Sequence, residues 1–253
     1  MRVIAVSGAK GGVGKTAVAV NLAMLSARSG RRTLLWDLDP QAAATHCYRL
    51  KAKVKGGAGR MLGGKRDLQA FVRHTDYENL DLVPVDKTFR VVDTVLSARR
   101  WPDRAIRKLL RPVAGDYDVA ILDCAPGLGV MAESVDAASD LVIAPIVPAP
   151  LAVRSLDQMS EFIDEHREGL PMVAVLSMVD RRKVLHRQML QSVVDDERFV
   201  EAAIPLSSSV ERMGLEQVPA VLASPRNLSA KAFAALWDDV CKRIDIPAGP
   251  GSD

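Results

Sequence analysis

Aromatic residues are scarce in this chain of 253 residues, at 4% against 48% hydrophobic overall. A core of large stacked rings is therefore excluded. Val, Leu, Ile and Ala must fill it, as buried parallel strands prefer. Cysteine is scarcer still: Cys47, Cys124 and Cys241 are odd in number and scattered, with no CxxC pair or metal-ligand spacing. That excludes a disulfide framework and a zinc module, and it points to a reducing, cytoplasmic setting. No apolar run approaches the length that spans a bilayer. The first strand, expected from residue 3, leaves no room for a signal peptide. Neither sign of charge dominates, since 34 basic and 31 acidic residues give a net charge of +3. Such a balance permits a nucleic-acid partner without demanding one. With no repeat and no linker, the length suits one α/β domain over 1–246, followed by a short disordered tail at 247–253.

What the chain does have stands at its head. Val3, Ile4, Ala5 and Val6 form an apolar run of strand length that stops at Ser7 and Gly8. Lys10-Gly11-Gly12-Val13-Gly14-Lys15-Thr16 follows, and residues 17–27 then read as a buried helix. Gly8 to Thr16 fit G-x-x-x-x-G-K-[ST] in the strand–loop–helix setting that gives the pattern its meaning. Glycines let successive backbone N–H groups turn toward a polyphosphate with no Cβ in the way. The helix adds its positive N-terminal end. In such a loop Lys15 reaches the β- and γ-phosphates and the Thr16 hydroxyl sits on Mg²⁺. The expectation is a nucleoside triphosphate site, with Gly11, Gly12, Val13, Gly14, Lys15, Thr16 and Ala17 around the phosphates.

A second strand, expected at 33–36, runs into Asp37-Leu38-Asp39-Pro40-Gln41. Carboxylates at i and i+2 on a strand end share a face, here at the edge where doubly wound sheets collect ligands. Asp37 and Asp39 are therefore expected to position Mg²⁺ or water. Residues 117–122 form another buried strand ending in Asp123, the usual holder of Mg²⁺ beside a phosphate loop. Cys124 reads as a small buried residue. Further strands are expected at 80–83, 141–147, 172–178, 200–204 (an edge strand) and 219–222. Helices are expected at 68–74, 86–98, 151–166, 184–194 and 227–244, and from Pro102 onward. This alternation predicts an α/β fold, a doubly wound and mostly parallel sheet flanked by helices.

Basic residues collect in three places. The run 49–66 holds five glycines and seven basic residues with no acid, and reads as a loop that is mobile without ligand. The helix after Pro102 sets Ile106, Leu109, Leu110 and Val113 on one face and Arg100, Arg104, Arg107, Lys108 and Arg111 on the other. Arg181, Arg182, Lys183 and Arg187 gather at the ligand edge. Stripes of this kind hold phosphates or are merely solvated, and the residues alone leave both open.

Together these motifs resemble the ParA/MinD family of deviant Walker ATPases over nearly the whole chain, and within it the ParA-like, Soj-type branch. KGGVGKT, Lys10 to Thr16, resembles that family's altered phosphate loop, whose extra early lysine is its signature. DLDPQ at 37–41 is similar to its second motif, and ILDCAPGLG at 121–129 to its magnesium-binding strand and following loop. SMVDRR at 177–182 and IPLSSSVERMGLEQVPAV at 204–221 are fainter echoes. The resemblance implies a Mg²⁺-dependent ATPase that closes as a homodimer over ATP. Lys15 would bind phosphates in its own subunit, and Lys10 would reach across to the partner's nucleotide. Thr16 would ligate Mg²⁺, Asp37 and Asp123 would hold its waters, and Asp39 would orient the attacking water. Met178 and Pro205 would flank the adenine.

The resemblance also implies slow hydrolysis that times release from a surface. For ParA-like members that surface is nonspecific DNA of the nucleoid. Release is stimulated by a ParB-type adaptor or a cargo-specific equivalent, so that a plasmid, a chromosome or a protein cargo is moved; no membrane is expected. The chain departs from many relatives after Pro205, where Leu206, Ser207, Ser208 and Ser209 replace DNA-binding arginines. DNA contact would then fall to Arg104, Arg107, Lys108, Arg111, Arg181, Arg182, Lys183 and Arg187. A membrane-cycling, MinD-like ATPase would need a C-terminal amphipathic helix, and IDIPAGPGSD offers none. An iron–sulfur reductase subunit would need two well-placed cysteines per chain, and Cys124 has no evident second.

Overall fold

Short runs of Val, Leu, Ile and Ala become the strands of one sheet in the computed structural model, which describes residues 1–63 and 67–246. In chain order the elements are β1 (Arg2–Val6), α1 (Lys15–Arg28), β2 (Thr33–Asp37), α2 (Ala43–Cys47), α3 (Gly57–Leu62), β3 (Arg73–His74), β4 (Leu80–Val83), α4 (Val92–Ser97) and α5 (Ala105–Leu110). There follow β5 (Val119–Asp123), α6 (Val130–Ala138), β6 (Leu141–Ile146), α7 (Ala152–His166), β7 (Met172–Val179), α8 (Val184–Ser192) and β8 (Phe199–Pro205). Three short helices, α9 (Ser208–Glu211), α10 (Met213–Glu216) and α11 (Ala220–Ala223), lead to the closing α12 (Leu228–Arg243).

Among the described residues the eight strands lie in the order β3-β4-β2-β5-β1-β6-β7-β8. All pairings are parallel except that of β3, which runs against β4 at one edge. Because side chains alternate across a strand, Val3 and Ala5 enter one core layer while Ile4 and Val6 enter the other. The second layer also takes Val18 and Leu22 of α1 and Phe233, Leu236 and Val240 of α12. The first takes Ile106 of α5, Val135 of α6 and Leu156 of α7. The chain lays β2 and β5 on one side of β1 and β6 on the other, so the strand order reverses at β1. Ligands of open α/β sheets bind beyond the carboxyl ends of strands at such a reversal.

Three expectations need correction. The glycine- and lysine-rich run at 49–66 is not all loop, since α3 forms within it and buries Ala58, Met61 and Leu62. Burying two such side chains stabilises by about 1.5–3 kcal/mol each, enough to outweigh poor local helix propensity. Lys65 and Arg66, like the tail 247–253, lie outside the described residues. The apolar segment at 219–222 is helical, not a strand: α11 starts after Pro219, and its Val221 N–H donates to the buried Asn21 Oδ1 of α1 at 3.0 Å. The expected helix at 68–74 is one 3-10 turn, Leu68–Phe71, after which the chain straightens into β3. Among the described residues, no helix is long and apolar enough to cross a membrane.

Candidate functional site

β1 delivers the chain to Ser7, whose N–H donates to the Ile143 carbonyl of β6 at 3.0 Å. The loop from Gly8 to Gly14 then turns into α1. Gly12 and Gly14 adopt φ of +72° and +94°, where a side chain is strained. Gly14 has a second reason to be glycine, because a Cβ there would lie 2.8 Å from Ser177 Oγ. Gly11 and Gly12 are exposed, Val13 is buried, and Thr16 and Ala17 are half-buried at the start of α1. The positive end of this helix of 14 residues faces the loop. Lys15 is buried, and its ammonium donates to the Lys10 carbonyl at 2.8 Å. Burial holds its pKa below the ordinary lysine value, and the carboxylate of Asp123 opposes that fall. The Lys10 side chain is exposed.

Asp37 and Asp123 end β2 and β5 and are direct partners in their register. Both are fully buried. Asp37 accepts three hydrogen bonds: Oδ1 accepts from Asp39 N–H at 3.1 Å, and Oδ2 accepts from Thr45 N–H and Oγ1–H at 2.8 and 2.7 Å. Asp123 has no such support, since neither carboxylate oxygen accepts a hydrogen bond among the described residues. Thr16 faces it and offsets the charge somewhat without completing a bond of normal geometry. Burial raises the pKa of both acids, and the proximity of Asp37 raises that of Asp123 further. Two buried carboxylates, one of them bare, cost several kcal/mol unless a cation compensates them. The residues therefore fit Mg²⁺. Among the described residues no group of three His, Cys, Asp or Glu side chains could hold a metal alone. That suits an ion that draws most of its ligands from phosphates and water.

Asp39 corrects a further expectation. β2 ends at Asp37, so strand alternation does not reach Asp39, and the two acids share no strand face. Asp39 lies half-buried in a turn, where its Oδ1 accepts from Gln41 N–H at 2.9 Å. The structure brings Met178 to the phosphate loop: its Cε would stand 3.7 Å from a Cβ on Gly14. Met178 adopts φ +54°, at a register irregularity between β7 and β8. Pro205 pairs with Val179 and ends β8, the edge strand.

The two other basic groups sit on exposed segments. Arg104, Arg107, Lys108 and Arg111 are exposed, opposite the buried Ile106, Leu109 and Leu110. The Arg104 guanidinium stacks 4.8 Å from the Trp101 ring centre and lies 3.7 Å from Asp103. Arg181, Arg182, Lys183 and Arg187 are exposed at the start of α8. There Arg182 makes bonds of 2.9 Å to both Asp180 oxygens and holds that carboxyl well below the usual range, while Arg187 donates to the carbonyls of Arg181 and Arg182. Three residues at the site escaped the sequence reading: Thr45, which holds Asp37; Ser177, which abuts Gly14; and Asp93, whose Oδ1 accepts from Met131 N–H at 2.9 Å in the first turn of α6. Only Ser177 carried a sequence signal, in SMVDRR.

A strand that opens into a phosphate loop, flanked by strands tipped with acids, is the build of a P-loop nucleoside triphosphatase. A family model for the AAA domain matches residues 1–172. The chromosome partitioning protein ParA of Myxococcus xanthus is 32% identical over 98% of this chain and 90% of its own length. A putative plasmid partition protein of Borrelia burgdorferi, solved bound to AMPPNP, superposes with a TM-score of 0.85 at 23% identity, covering 96% of this chain and 99% of that one. Cobyrinic acid a,c-diamide synthase of Mycobacterium smegmatis, solved with an ATP analogue and magnesium, gives a TM-score of 0.81 at 26% identity over 100% of both chains. The chain belongs to the ParA-like family of AAA-domain P-loop ATPases.

Proposed function

We propose that this protein is a Mg²⁺-dependent ATPase that closes as a homodimer over ATP, binds DNA without sequence preference in that state, and is released by slow, partner-stimulated hydrolysis. The observation that carries the reading is the pair Asp37 and Asp123: buried carboxylates on adjacent strand ends beside a phosphate loop, the second accepting no hydrogen bond among the described residues. Thr16 would hold the ion directly, and Asp37 and Asp123 would bond its waters. When bound, Mg²⁺ supplies neutralisation of charge on the β- and γ-phosphates. Lys15 exchanges the Lys10 carbonyl for those phosphates, while the N–H groups of Gly11 to Ala17 line them. Met178 and Pro205 flank the adenine.

Lys10, exposed on the loop, reaches the nucleotide held by the partner subunit and stabilises charge as it develops. Asp39 orients the attacking water. The water oxygen bonds to the γ-phosphorus as the bond to the β–γ bridging oxygen breaks; ADP keeps that electron pair, and the water's protons pass to phosphate and solvent. Pairing doubles the basic surface offered to DNA, so ATP state sets DNA affinity. As the partitioning role of the Myxococcus xanthus relative suggests, the cargo is a replicon or a large assembly. It is joined through a ParB-type adaptor and moved over the nucleoid in the cytoplasm.

Light scattering on the Asp39→Ala variant, with and without ATP and Mg²⁺, tests the reading. A dimer that forms only with ATP and then retards duplex DNA is the expected result. A monomer under every nucleotide condition overturns it.

A further inference from the structure

Of the three basic stretches read as possible phosphate contacts, the structure separates one by how it is built. A groove of about 610 Å³ beside the β3 edge is lined by Arg49, Leu50, Lys51, Lys53, Lys55 and Arg73. Among the described residues, five of the six that line it are cations and none is an acid. We propose that this groove is the surface that grips the phosphate backbone of DNA, an inference that rests on the DNA-binding half of the reading above.

Charge in this groove is uncommitted. Arg49 lies 3.7 Å from Asp76, but both side chains are more than half exposed, and such pairs contribute about 0–1 kcal/mol. Lys51, Lys53 and Lys55 have no ion pair or side-chain hydrogen bond among the described residues. Among the described residues the Arg73 guanidinium donates only to backbone carbonyls, those of Ala70 and Val72. By contrast Arg182 is committed to Asp180, and Arg104 leans toward Asp103.

The backbone that carries these cations is anchored at several points. Val54 is buried, and its N–H donates to Asp86 Oδ2 at 2.8 Å. Ala58 N–H donates to Thr88 Oγ1 at 2.7 Å, and Thr88 in turn bonds Asp86. The Lys53 N–H closes a tight turn on the Lys51 carbonyl at 2.8 Å. Arg73 opens β3 and is held by pairing with Leu82. Arg49 adopts φ +58°, a conformation that costs an arginine about 1 kcal/mol. Cations on a pre-ordered frame lose less entropy when they meet a phosphate row.

The groove is also tied to the nucleotide edge. Thr45 of α2 holds Asp37, and Arg49 follows α2 after a single residue. The first cation of the groove thus stands one short helix from the Asp37 carboxylate.

The test is fluorescence anisotropy of a random-sequence duplex with full-length Asp39→Ala protein, ATP and Mg²⁺, between about 50 and about 200 mM salt. Against this parent stand two variants, one carrying Lys51→Ala, Lys53→Ala and Lys55→Ala together, the other the three matching Lys→Arg changes. Light scattering on the same samples reports dimer formation. The alanine variant, still dimeric, is expected to lose more than about tenfold in affinity, and its log–log salt slope to flatten by about 2.7 for each protomer whose groove meets the duplex, near 0.9 for each phosphate contact removed. The arginine variant is expected to match the parent. Unchanged affinity in the alanine variant, with loss instead on Arg107→Ala, Lys108→Ala and Arg111→Ala, overturns the groove but leaves DNA binding standing. A dimeric parent that ignores DNA overturns both.

Discussion

Lys15 and Lys10 meet inside one loop: the ammonium of the first donates to the backbone carbonyl of the second at 2.8 Å. The acceptor is backbone, so removing the Lys10 side chain leaves the contact in place. Lys10→Ala is therefore expected to keep ATP affinity near the wild-type value while losing turnover. Lys15→Ala removes a charge-assisted bond to phosphate worth about 1.5–3 kcal/mol, and should weaken ATP binding by about tenfold to a hundredfold. Calorimetric titration of ATP beside a phosphate-release assay separates the two effects. Equal loss of binding in both variants would place both lysines on the same nucleotide.

The Asp39 carboxylate is held by its own turn, through Gln41 N–H at 2.9 Å, and the tie of this residue to Asp37 is made by its backbone N–H. Its replacement should not disturb the strand ends. Asp39→Ala is expected to slow hydrolysis about a hundredfold or more, the usual scale for a group that orients a reacting water, while the ATP dimer persists. Asp39→Asn keeps an acceptor for Gln41 N–H and should fold like wild type. If it turns over ATP at the wild-type rate, the carboxylate has no part in positioning water.

Much of this site was legible because its parts are local. The phosphate loop and Asp123 each sit at the end of an apolar strand, and short sequence windows contain both features. Thr45 was not legible: it lies in an unremarkable AAATHC segment, and only folding α2 back over β2 brings it to Asp37. The α3 helix was hidden for a similar reason. Its glycines argue against a helix, whereas its stability comes from Met61 and Leu62 in the core and from Thr88, 30 residues distant along the chain. Pro219 to Leu222 failed on length, since so short an apolar run fits strand and helix alike.

Gly14 and Ser177 make a pair that can be taken apart. Alanine at 14 meets two penalties: φ of +94°, and a Cβ 2.8 Å from Ser177 Oγ. The first costs about 1–2 kcal/mol and no neighbour can relieve it. The second disappears when Ser177 loses its hydroxyl. Gly14→Ala is expected to lower the melting temperature and weaken ATP binding, and Gly14→Ala with Ser177→Ala to recover part of the loss but not all of it. Thermal melts of the four proteins of the cycle measure the split. No recovery in the double variant would mean that the contact with Ser177 carries none of the penalty.

Asp136, near the end of α6, is buried, and its Oδ1 has no hydrogen-bond partner among the described residues. Burial pushes its pKa up to about 7, opposed by His166 and Arg167 and helped by Glu133. An unfolded chain titrates this group near 3.9. Between about pH 4 and about pH 7 the folded protein thus keeps a proton that the unfolded chain has released. Stability attributable to Asp136 accordingly falls as pH rises through that window and is flat above it. Asp136→Asn preserves the shape without the charge. It is expected to stabilise the protein at pH 8 by an amount on the order of a few kcal/mol, with the gain fading as pH drops toward about 4. Urea unfolding of both proteins across that range is the check. A difference that stays constant with pH would show that Asp136 is already ionised in the native state at the acid end.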